Sequence, residues 1–352
     1  MKAVVSQNKE AVLVGDRPVP KLRDDYLLVK TVAVALNPTD WKHAFYGLAA
    51  EGGLLGCDFA GVVEEVGPAV TKPWAKGDRI CGVAHGGNVL QPEDGAFAEY
   101  IVAKGDVQVK IPDHLSFEKA ATVSLGATTV GQGLYQQGLK LNLPTDPVTS
   151  KTFVLIYGGS SATGALGIQY AKLSGYTVLT TCSPRNFSYV KSLGASEAFD
   201  YNEPGAAAAI RKSTNNALTL AWDTISTEAS ARFCADALSS DSVGVAGELR
   251  YAAILPVKAP RDDVQTVNTL MYSVFGEAYE FGPKKIPALP EDFEFAKSFM
   301  ALTEKLLAEK KLVPHKELVG KNGLQGVVQG LQDMKDDKVS ASKLVYLVEE
   351  TP

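Results

Sequence analysis

A glycine-rich loop, Tyr157-Gly-Gly-Ser-Ser-Ala-Thr-Gly164, has the composition and position of a phosphate-binding turn. It follows a short apolar run, Phe153 to Ile156, which is typical of a parallel strand buried on both faces. It precedes Ala165 to Ser174, where apolar residues recur at helical spacing. Glycine supplies the positive φ of such a turn, and the free N–H groups at a helix start attract phosphate. The order strand, turn, helix therefore predicts a site for the phosphates of a dinucleotide.

The loop departs from the G-x-G-x-x-G pattern of dinucleotide-binding proteins at one position. The three places of the pattern hold Gly159, Ser161 and Gly164, so a serine replaces the middle glycine. Such a loop is a weak signal by itself, because glycine turns are common. A second strand, Thr177 to Cys182, strengthens it by completing a strand–helix–strand unit of about 30 residues.

The end of this second strand indicates which dinucleotide is bound. NAD-binding units usually carry Asp or Glu there, which binds the ribose 2′-hydroxyl. This chain has Thr181-Cys-Ser-Pro-Arg-Asn186 instead, without an acid. A carboxylate would repel a 2′-phosphate, whereas Arg185 can pair with one, and Ser160, Ser161 and Thr163 add hydroxyl donors. These residues predict NADPH; the alternative is that Arg185 is a solvated residue beside a turn.

The composition of the chain excludes several classes of protein. Its 352 residues exceed what one core usually serves, so two domains are expected. A hydrophobic share of 45% and a charged share of 21% exclude a disordered or fibrous protein. The net charge of −5 does not suggest a nucleic-acid partner. We find no apolar run of membrane length and no signal peptide, and the four cysteines are scattered, so we expect a reduced, cytoplasmic protein without membrane association.

Two patterns divide the chain. Residues 1–112 consist of short apolar or alternating runs separated by turns, which favours a small barrel of strands. From Lys151 to about Pro287, strand and helix patterns alternate, which favours an α/β domain with a doubly wound parallel sheet. The segment Asp292 to Glu309 has the spacing of an amphipathic helix, and Lys343 to Val348 is predicted to be a strand.

Two motifs of the barrel region resemble those of the medium-chain dehydrogenase/reductase superfamily. The segment Gly56-Cys-Asp-Phe-Ala-Gly-Val-Val-Glu-Glu-Val-Gly67 is similar to its N-terminal signature, and Lys76-Gly-Asp-Arg79 is similar to the turn that follows it. The resemblance covers essentially the whole chain. It implies a GroES-like β-barrel catalytic domain, expected at residues 1–130 and 290–352, and a Rossmann NADPH-binding domain, expected at residues 131–289.

The same resemblance bears on metal binding. In the zinc alcohol dehydrogenases of the superfamily, the metal ligands fall where this chain has Asn37, Cys57 and a residue near Ser124. Zinc needs Cys, His or carboxylate at such points, and only Cys57 qualifies. A structural zinc lobe would need four closely spaced cysteines, and Cys81 stands alone. We therefore predict that no metal is bound and that Cys57 fills space in the core.

Within the superfamily, the chain most resembles the stand-alone, trans-acting enoyl reductases that partner fungal highly reducing polyketide synthases. The stretches that carry this resemblance include Asn37-Pro-Thr-Asp-Trp-Lys42, Phe275-Gly-Glu-Ala-Tyr-Glu-Phe-Gly282 and Val339-Ser340. The resemblance implies that NADPH contacts Pro38, Thr39, Asp40, Trp41, Ser160, Ser161, Ala162, Thr163, Ser183, Pro184, Arg185, Asn186, Tyr201, Ile254, Leu255, Val339 and Ser340. It implies a substrate pocket formed by Ser124, Leu125, Gly126, Ala127, Thr128, Thr129, Val130, Gly131, Phe275, Gly276, Glu277, Ala278 and Tyr279.

The resemblance also implies a reaction. A hydride from NADPH adds to the β-carbon of an α,β-unsaturated thioester, and the enolate that forms is protonated at its α-carbon. Thr128 is the candidate donor to the enolate oxygen, while Lys42, or less readily Tyr46, is the candidate proton donor. Lys42 as a solvated helix residue is an open alternative. Rival functions are a quinone or enone reductase acting on free small molecules, a zinc alcohol dehydrogenase, and a non-enzymatic NADPH-binding protein.

The implied partner is the acyl carrier domain of a polyketide synthase, which the protein meets transiently. Carrier domains are usually acidic, so a basic rim beside the pocket would favour the encounter. Lys284 and Lys285 follow the Phe275–Gly282 stretch directly and are the candidates for that rim; the alternative is two exposed loop lysines. We expect the protein itself to be a monomer.

Overall fold

The computed structural model describes residues 1–241 and 247–352. The chain forms two compact units: the first comprises residues 1–125 and 272–352, and the second comprises residues 126–271. Within the described residues, we find no helix that is long and apolar enough to cross a membrane.

The helices and strands follow one another in three stretches. Residues 1–123 form β1 (Ala3–Gln7), β2 (Glu10–Val14), β3 (Tyr26–Ala35), α1 (Pro38–Phe45), β4 (Asp58–Val66), β5 (Arg79–Val83), β6 (Tyr100–Lys104), β7 (Val109–Lys110) and α2 (Phe117–Ala120). Residues 124–271 form α3 (Ser124–Val130), β8 (Phe153–Tyr157), α4 (Ala162–Leu173), β9 (Thr177–Thr181), α5 (Phe187–Ser192), β10 (Glu197–Phe199), α6 (Ala206–Ser213), β11 (Leu220–Asp223), α7 (Glu228–Ala237), β12 (Leu249–Ala253) and β13 (Val264–Asn268). The rest forms β14 (Tyr279–Phe281), β15 (Lys284–Ile286), α8 (Pro290–Ala308), β16 (Glu317–Val319), α9 (Gly323–Lys335) and β17 (Lys343–Leu347).

The bent strand β3 organises the first unit. It pairs with β4 along most of its length, with β6 through Tyr26–Lys30, and with β17 through Ala33–Ala35. Its register with β4 shifts at two places, and such irregularities bend a strand as a barrel requires. The resulting sheet has seven strands, in the order β16-β17-β3-β4-β5-β7 with β6 beside β3. This is the barrel-like sheet that the short runs of residues 1–112 predict.

The second unit is the predicted doubly wound sheet. Its six strands are all parallel, in the order β10-β9-β8-β11-β12-β13. The chain runs from β8 outward to β9 and β10, and then returns to the other side of β8 to build β11, β12 and β13. The order of strands therefore reverses between β8 and β11. Ligands of open α/β sheets bind at the carboxyl ends of the strands at such a point.

Residues 272–289, which the sequence expectation placed in the cofactor domain, belong to the first unit. Two kinds of contact hold them there. Glu277 accepts hydrogen bonds from Tyr26 at 2.8 Å and from Lys104 at 2.7 Å, and the ring of Tyr272 stacks on His85 at 4.3 Å. Alternating strand and helix patterns do not report such contacts, so the sequence set this boundary too late.

Candidate active site

The glycine loop of the second unit is closely packed at its three glycines. Gly158 has φ +85°, a conformation that residues with a side chain rarely adopt. A Cβ on Gly159 would lie 2.0 Å from the hydroxyl of Thr180, and a Cβ on Gly164 would lie 2.3 Å from the carbonyl oxygen of Gly158. The loop is thus packed so closely that only glycine fits at these places. Glycines of a dinucleotide-binding turn permit this close packing of strand and helix, so the loop is compatible with the predicted dinucleotide site.

Ser161, which stands at the middle position of the pattern, has a structural use. It is the residue before helix α4, and its hydroxyl oxygen accepts a hydrogen bond from the N–H of Gly164 at 3.0 Å. It also lies 3.1 Å from the hydroxyl of Thr224 at the end of β11. A glycine at this position would leave the helix start without its cap. The serine therefore stabilises the start of α4 and ties the loop to the neighbouring strand.

The end of β9 is polar and free of acids, as the sequence indicates. Residues Pro184–Asn186 form a short 3-10 turn, in which Arg185 is exposed. The hydroxyl of Ser183 lies 3.5 Å from that of Tyr201, whose ring stands 6.0 Å from the ring of Tyr157. The structure thus brings together three of the regions predicted to contact the cofactor: the glycine loop, the turn after β9 and Tyr201.

The carboxyl end of β11 supplies further candidate site residues, which the sequence did not predict. Residues 224–226 follow this strand, and Ile225 is 42% exposed although it is a large apolar side chain. The hydroxyl of Ser226 accepts a hydrogen bond from the N–H of Ile254 at 3.0 Å, which places the predicted Ile254 beside this stretch. The position of residues 224–226 directly after a predicted strand could have indicated them, because the carboxyl ends of parallel strands lie at one edge of the sheet.

A buried carboxylate fixes that stretch. Asp223 is inaccessible to solvent and accepts hydrogen bonds from the N–H groups of Ile225 and Ser226 at 2.9 and 2.8 Å. The hydroxyls of Ser230 and Tyr251 donate to the same carboxylate at 2.6 and 2.7 Å. The turn after β11 is therefore held rigidly next to the glycine loop.

Helix α1 of the first unit carries the predicted segment Pro38–Lys42. Asn37 precedes the helix, and its N–H donates to the carboxylate of Asp40 at 2.7 Å, as in a capping box. Asp40 is buried, and burial raises its pKa to about 7. Lys42 is half-buried, and desolvation lowers its pKa. Its ammonium stands 5.6 Å from the ring of Trp41, and the alternative of a solvated helix residue stays open.

A third buried carboxylate, Asp58, follows Cys57, one of the positions that the resemblance implies for metal ligands. Asp58 accepts hydrogen bonds from the side-chain amide of Asn37 at 2.9 Å, from the N–H of Leu125 at 2.8 Å and from the ammonium of Lys343. Cys57 is buried, and burial raises the pKa of its thiol well above the usual value. Among the described residues, no group of three His, Cys, Asp or Glu side chains could hold a metal ion. The predicted absence of zinc stays a prediction, and this network supports it.

The same network holds three predicted site segments in the first unit. Asn37 begins α1, Leu125 lies in the first turn of α3, and Lys343 follows Val339 and Ser340 by a few residues. Within α3, Thr128 and Thr129 are buried. A Cβ on Gly126 would lie 2.6 Å from Leu166 of α4, so Gly126 permits these two helices to pack closely.

The predicted substrate stretch Phe275–Tyr279 is part of a buried aromatic cluster. The ring of His85 is stacked between Tyr272, at 4.3 Å, and Phe275, at 5.8 Å. Tyr279 meets His85 edge to face at 5.6 Å. Burial lowers the pKa of His85 to about 3, so this ring is neutral at physiological pH. Phe275 and Tyr279 are thus both buried against the neutral ring of His85.

The rest of the candidate residues lie on the surface. Tyr46 is 60% exposed and packs edge to face on Trp41 at 5.4 Å. Lys284 and Lys285 are exposed on β15, where Lys285 forms an ion pair with Glu280 at 3.2 Å. One of the two charges of the expected basic rim is thus partly compensated within the protein.

Known proteins share the fold of this chain, and curated relatives share about half of the aligned residues. Residues 23–113 match the alcohol dehydrogenase GroES-like domain. The trans-enoyl reductase resD of Aspergillus sclerotiorum is 47% identical over 99% of this chain and 100% of its own length. The trans-enoyl reductase TOXD of Cochliobolus carbonum is 55% identical over 79% of this chain and 91% of its own length. A quinone oxidoreductase from Coxiella burnetii has the same fold, with a TM-score of 0.72 at 24% identity over 99% of both chains.

The match to resD extends over 99% of the chain and the match to TOXD over 79%, and both identities are far above that of the solved structure. The acid-free Rossmann loop of the second unit and the GroES-like barrel of the first are the parts of a nicotinamide-dependent oxidoreductase. The chain therefore belongs to the trans-enoyl reductases, oxidoreductases of carbon–carbon double bonds within the medium-chain dehydrogenase/reductase superfamily.

Proposed function

We propose that this protein is an NADPH-dependent enoyl reductase that reduces the α,β-double bond of a polyketide thioester, acting in trans with a polyketide synthase of secondary metabolism. The observation that carries the proposal is the full-length membership in the trans-enoyl reductases. The two units support it separately, since one is a parallel α/β sheet with a glycine loop and no acid at the end of β9, and the other contains the GroES-like domain of the superfamily.

The cofactor would be held by the second unit through backbone groups and by Arg185. The glycine loop Gly158–Gly164 would bind the pyrophosphate, and Ser183 to Asn186 would bind the 2′-phosphate. The side chains of Tyr201, Ile225 and Ile254 would line the cofactor site. When bound, NADPH supplies the hydride that adds to the β-carbon of the substrate.

The protein's own residues would manage the charge on the substrate. Thr128, from α3, is proposed to donate a hydrogen bond to the thioester oxygen, where negative charge develops. Lys42, from α1, adds a positive charge, and its lowered pKa makes it a stronger acid than an exposed lysine. The cluster of Phe275, Tyr279 and His85 would exclude water and contact the acyl chain.

The proposal also covers the partner of the protein and its oligomeric state. The substrate would arrive on an acyl carrier domain, the protein would act as a cytoplasmic monomer, and neither nucleic acid nor membrane would take part. Glu280 pairs with Lys285. Lys284 would therefore be the principal basic contact for the carrier domain.

A direct test compares substrates and cofactors with the purified protein. We expect oxidation of NADPH with α,β-unsaturated acyl-pantetheine thioesters, much slower oxidation of NADH, and little turnover of benzoquinone. Faster turnover of benzoquinone than of every thioester would instead identify a reductase of free quinones. No oxidation with any acceptor would favour a non-enzymatic NADPH-binding protein.

A further inference from the structure

Strand β16 is the last strand on one side of the seven-stranded sheet and has an open edge. The carbonyl oxygen of Lys316 accepts a hydrogen bond from β17, and the N–H of Gly320 donates one to β17, each at 2.8 Å. Alternate residues of a parallel ladder bond to the same neighbour, so the N–H and C=O groups of Glu317 and Val319 point away from β17. Within the described part of the chain, no hydrogen bond joins these groups to another residue. The edge can therefore pair with a further strand.

This edge also carries apolar side chains that face solvent. Leu318 and Val319 are 50% and 45% exposed, and Val313, shortly before the strand, is 55% exposed. They are three of the eight large apolar side chains that are exposed among the described residues, and they lie within seven consecutive positions. Apolar side chains that cluster in this way beside an open edge indicate an interaction surface.

The surroundings of β16 are basic, although the protein as a whole is acidic. Residues 305–321 contain five lysines and two glutamates, whereas the net charge of the protein is −5. Lys311 forms an ion pair with Glu309 at 2.8 Å. Lys316 and Lys321, which flank the strand, are exposed, and no ion pair joins either of them to another residue that the structure describes. The local charge therefore favours a partner that carries carboxylates.

The same lysines disfavour a second copy of this chain as the partner. Two β16 edges paired about a two-fold axis would bring the lysines of one copy beside those of the other, and facing like charges are destabilising. Lysine on an edge strand is a common protection against the pairing of identical edges. A strand that carries carboxylates would instead meet Lys316 and Lys321 with the opposite charge.

We propose that the edge of β16 is the docking surface for an extended acidic segment of the partner polyketide synthase, which adds to the sheet as a further strand. We call this surface the β16 edge; it consists of Lys316, Glu317, Leu318, Val319 and Lys321. The inference rests on the proposed function, since it assumes a synthase with which the protein acts in trans. The backbone of the β16 edge would supply hydrogen bonds, its two apolar side chains would contact those of the segment, and its two lysines would select carboxylates. This surface would hold the synthase in addition to the carrier-domain contact proposed above.

The first test measures the binding of a labelled peptide of about eight alternating glutamate and valine residues by fluorescence anisotropy. We expect the wild-type protein to bind this acidic peptide, to bind it more weakly as the salt concentration rises from about 0.05 to about 0.5 M, and not to bind a peptide of alternating lysine and valine. The double variant Lys316→Glu with Lys321→Glu should weaken binding about tenfold. Val319→Pro removes an outward N–H but no hydrogen bond to β17, and should weaken binding roughly 2- to 10-fold.

A matched control changes the same kinds of side chain outside any strand. Val19 is 49% exposed and Lys21 is exposed, and both lie in the irregular segment between β2 and β3. Val19→Ser with Lys21→Glu should therefore bind the acidic peptide as the wild type does. Circular dichroism checks that every variant is folded. Hydrogen exchange adds the location, because the bound peptide should slow the exchange of the amides of residues 316–320.

A second test uses the intact partner synthase. The double lysine variant should reduce the carrier-bound substrate about tenfold more slowly than the wild type and reduce a free acyl-pantetheine thioester at the wild-type rate. The docking surface is overturned if the acidic peptide does not bind, if Val319→Pro binds it as the wild type does, or if the double variant serves the synthase normally. A dimer in sedimentation that dissociates in Leu318→Ser would assign the β16 edge to a second copy and would contradict the proposal as well. Wild-type protein that binds the peptide but reduces no thioester would contradict only the proposed function.

Discussion

The two candidate regions of this protein are built in opposite ways. In the second unit, the proposed cofactor site is the glycine loop Gly158 to Gly164, a short stretch whose glycines are closely packed against backbone and side-chain atoms. In the first unit, the polar network around Asp58 is made of side chains. Its partners Asn37, Leu125 and Lys343 are 21, 67 and 285 positions away along the chain.

This difference determines what each region tolerates. A backbone site depends on the absence of side chains, so it is damaged by adding atoms. A buried network of side chains depends on each charge being matched, so it is damaged by removing atoms. Substitutions in the two regions should therefore fail for different reasons and with different sizes of effect.

The largest effect is expected in the buried ion pair. Lys343→Met leaves the Asp58 carboxylate buried without its ammonium partner and should lower the free energy of unfolding by about 3–5 kcal/mol. Denaturant titration measures this. The double variant Asp58→Asn with Lys343→Met should recover a large part of the loss, because no uncompensated charge remains. Lys305→Met, which removes an exposed ion pair with Glu309, should cost less than about 1 kcal/mol.

Reversal of the charge of Arg185, at the end of β9, should change the affinity for the cofactor rather than the stability. Arg185→Glu should weaken NADPH binding by about 1.5–3 kcal/mol, or roughly 10- to 150-fold, and leave NADH binding nearly unchanged. Isothermal titration with each cofactor gives both values. Lys191→Glu, in the helix that follows, is the control for a general change of charge. Equal losses for both cofactors would show that Arg185 does not read the 2′-phosphate.

Adding one carbon to the glycine loop should damage the second unit. In Gly164→Ala the new Cβ would meet the carbonyl oxygen of Gly158 at 2.3 Å, and backbone cannot move aside easily. We expect a loss of stability of about 1–3 kcal/mol, as in overpacked cores, together with weaker NADPH binding. Gly15→Ala, which has open space around it, should leave both unchanged. Wild-type affinity in Gly164→Ala would contradict the close packing of the loop.

A smaller effect should depend on pH. The pKa of His85 is lowered to about 3 by burial, so unfolding takes up a proton at this residue between pH 6.5 and 3. The contribution of His85 to the free energy of unfolding should be fully present above pH 6.5 and should fall by up to about 1.4 kcal/mol per pH unit below it. Asp40, with its raised pKa, contributes the opposite slope between about pH 4 and 7. His85→Phe keeps an aromatic ring in the stack and removes the slope of His85, so the stability of the variant should rise toward acid pH relative to that of the wild type, which thermal unfolding from pH 4 to 8 would show.

The same contrast explains what the sequence could predict. The loop, the β9 end and the parallel sheet follow from local spacing, because strand, turn and helix are consecutive in the chain. The partners of Asp58 are brought together only by the barrel, so no local pattern announces Lys343 as the partner of Asp58. Tyr272 is a further case, since it lies beside His85 and Thr39 although it follows the cofactor-binding stretch in sequence. The boundary at residue 272 was missed for the same reason.

The central claim is that this protein transfers a hydride from NADPH to the β-carbon of an unsaturated thioester. The most direct test is reduction of an enoyl-pantetheine thioester with NADPH that carries deuterium at C4, followed by NMR of the saturated product. We predict one deuterium at the β-carbon, transferred from one face of the nicotinamide only, and a solvent-derived hydrogen at the α-carbon. Deuterium at the α-carbon, or a product without deuterium, would contradict it.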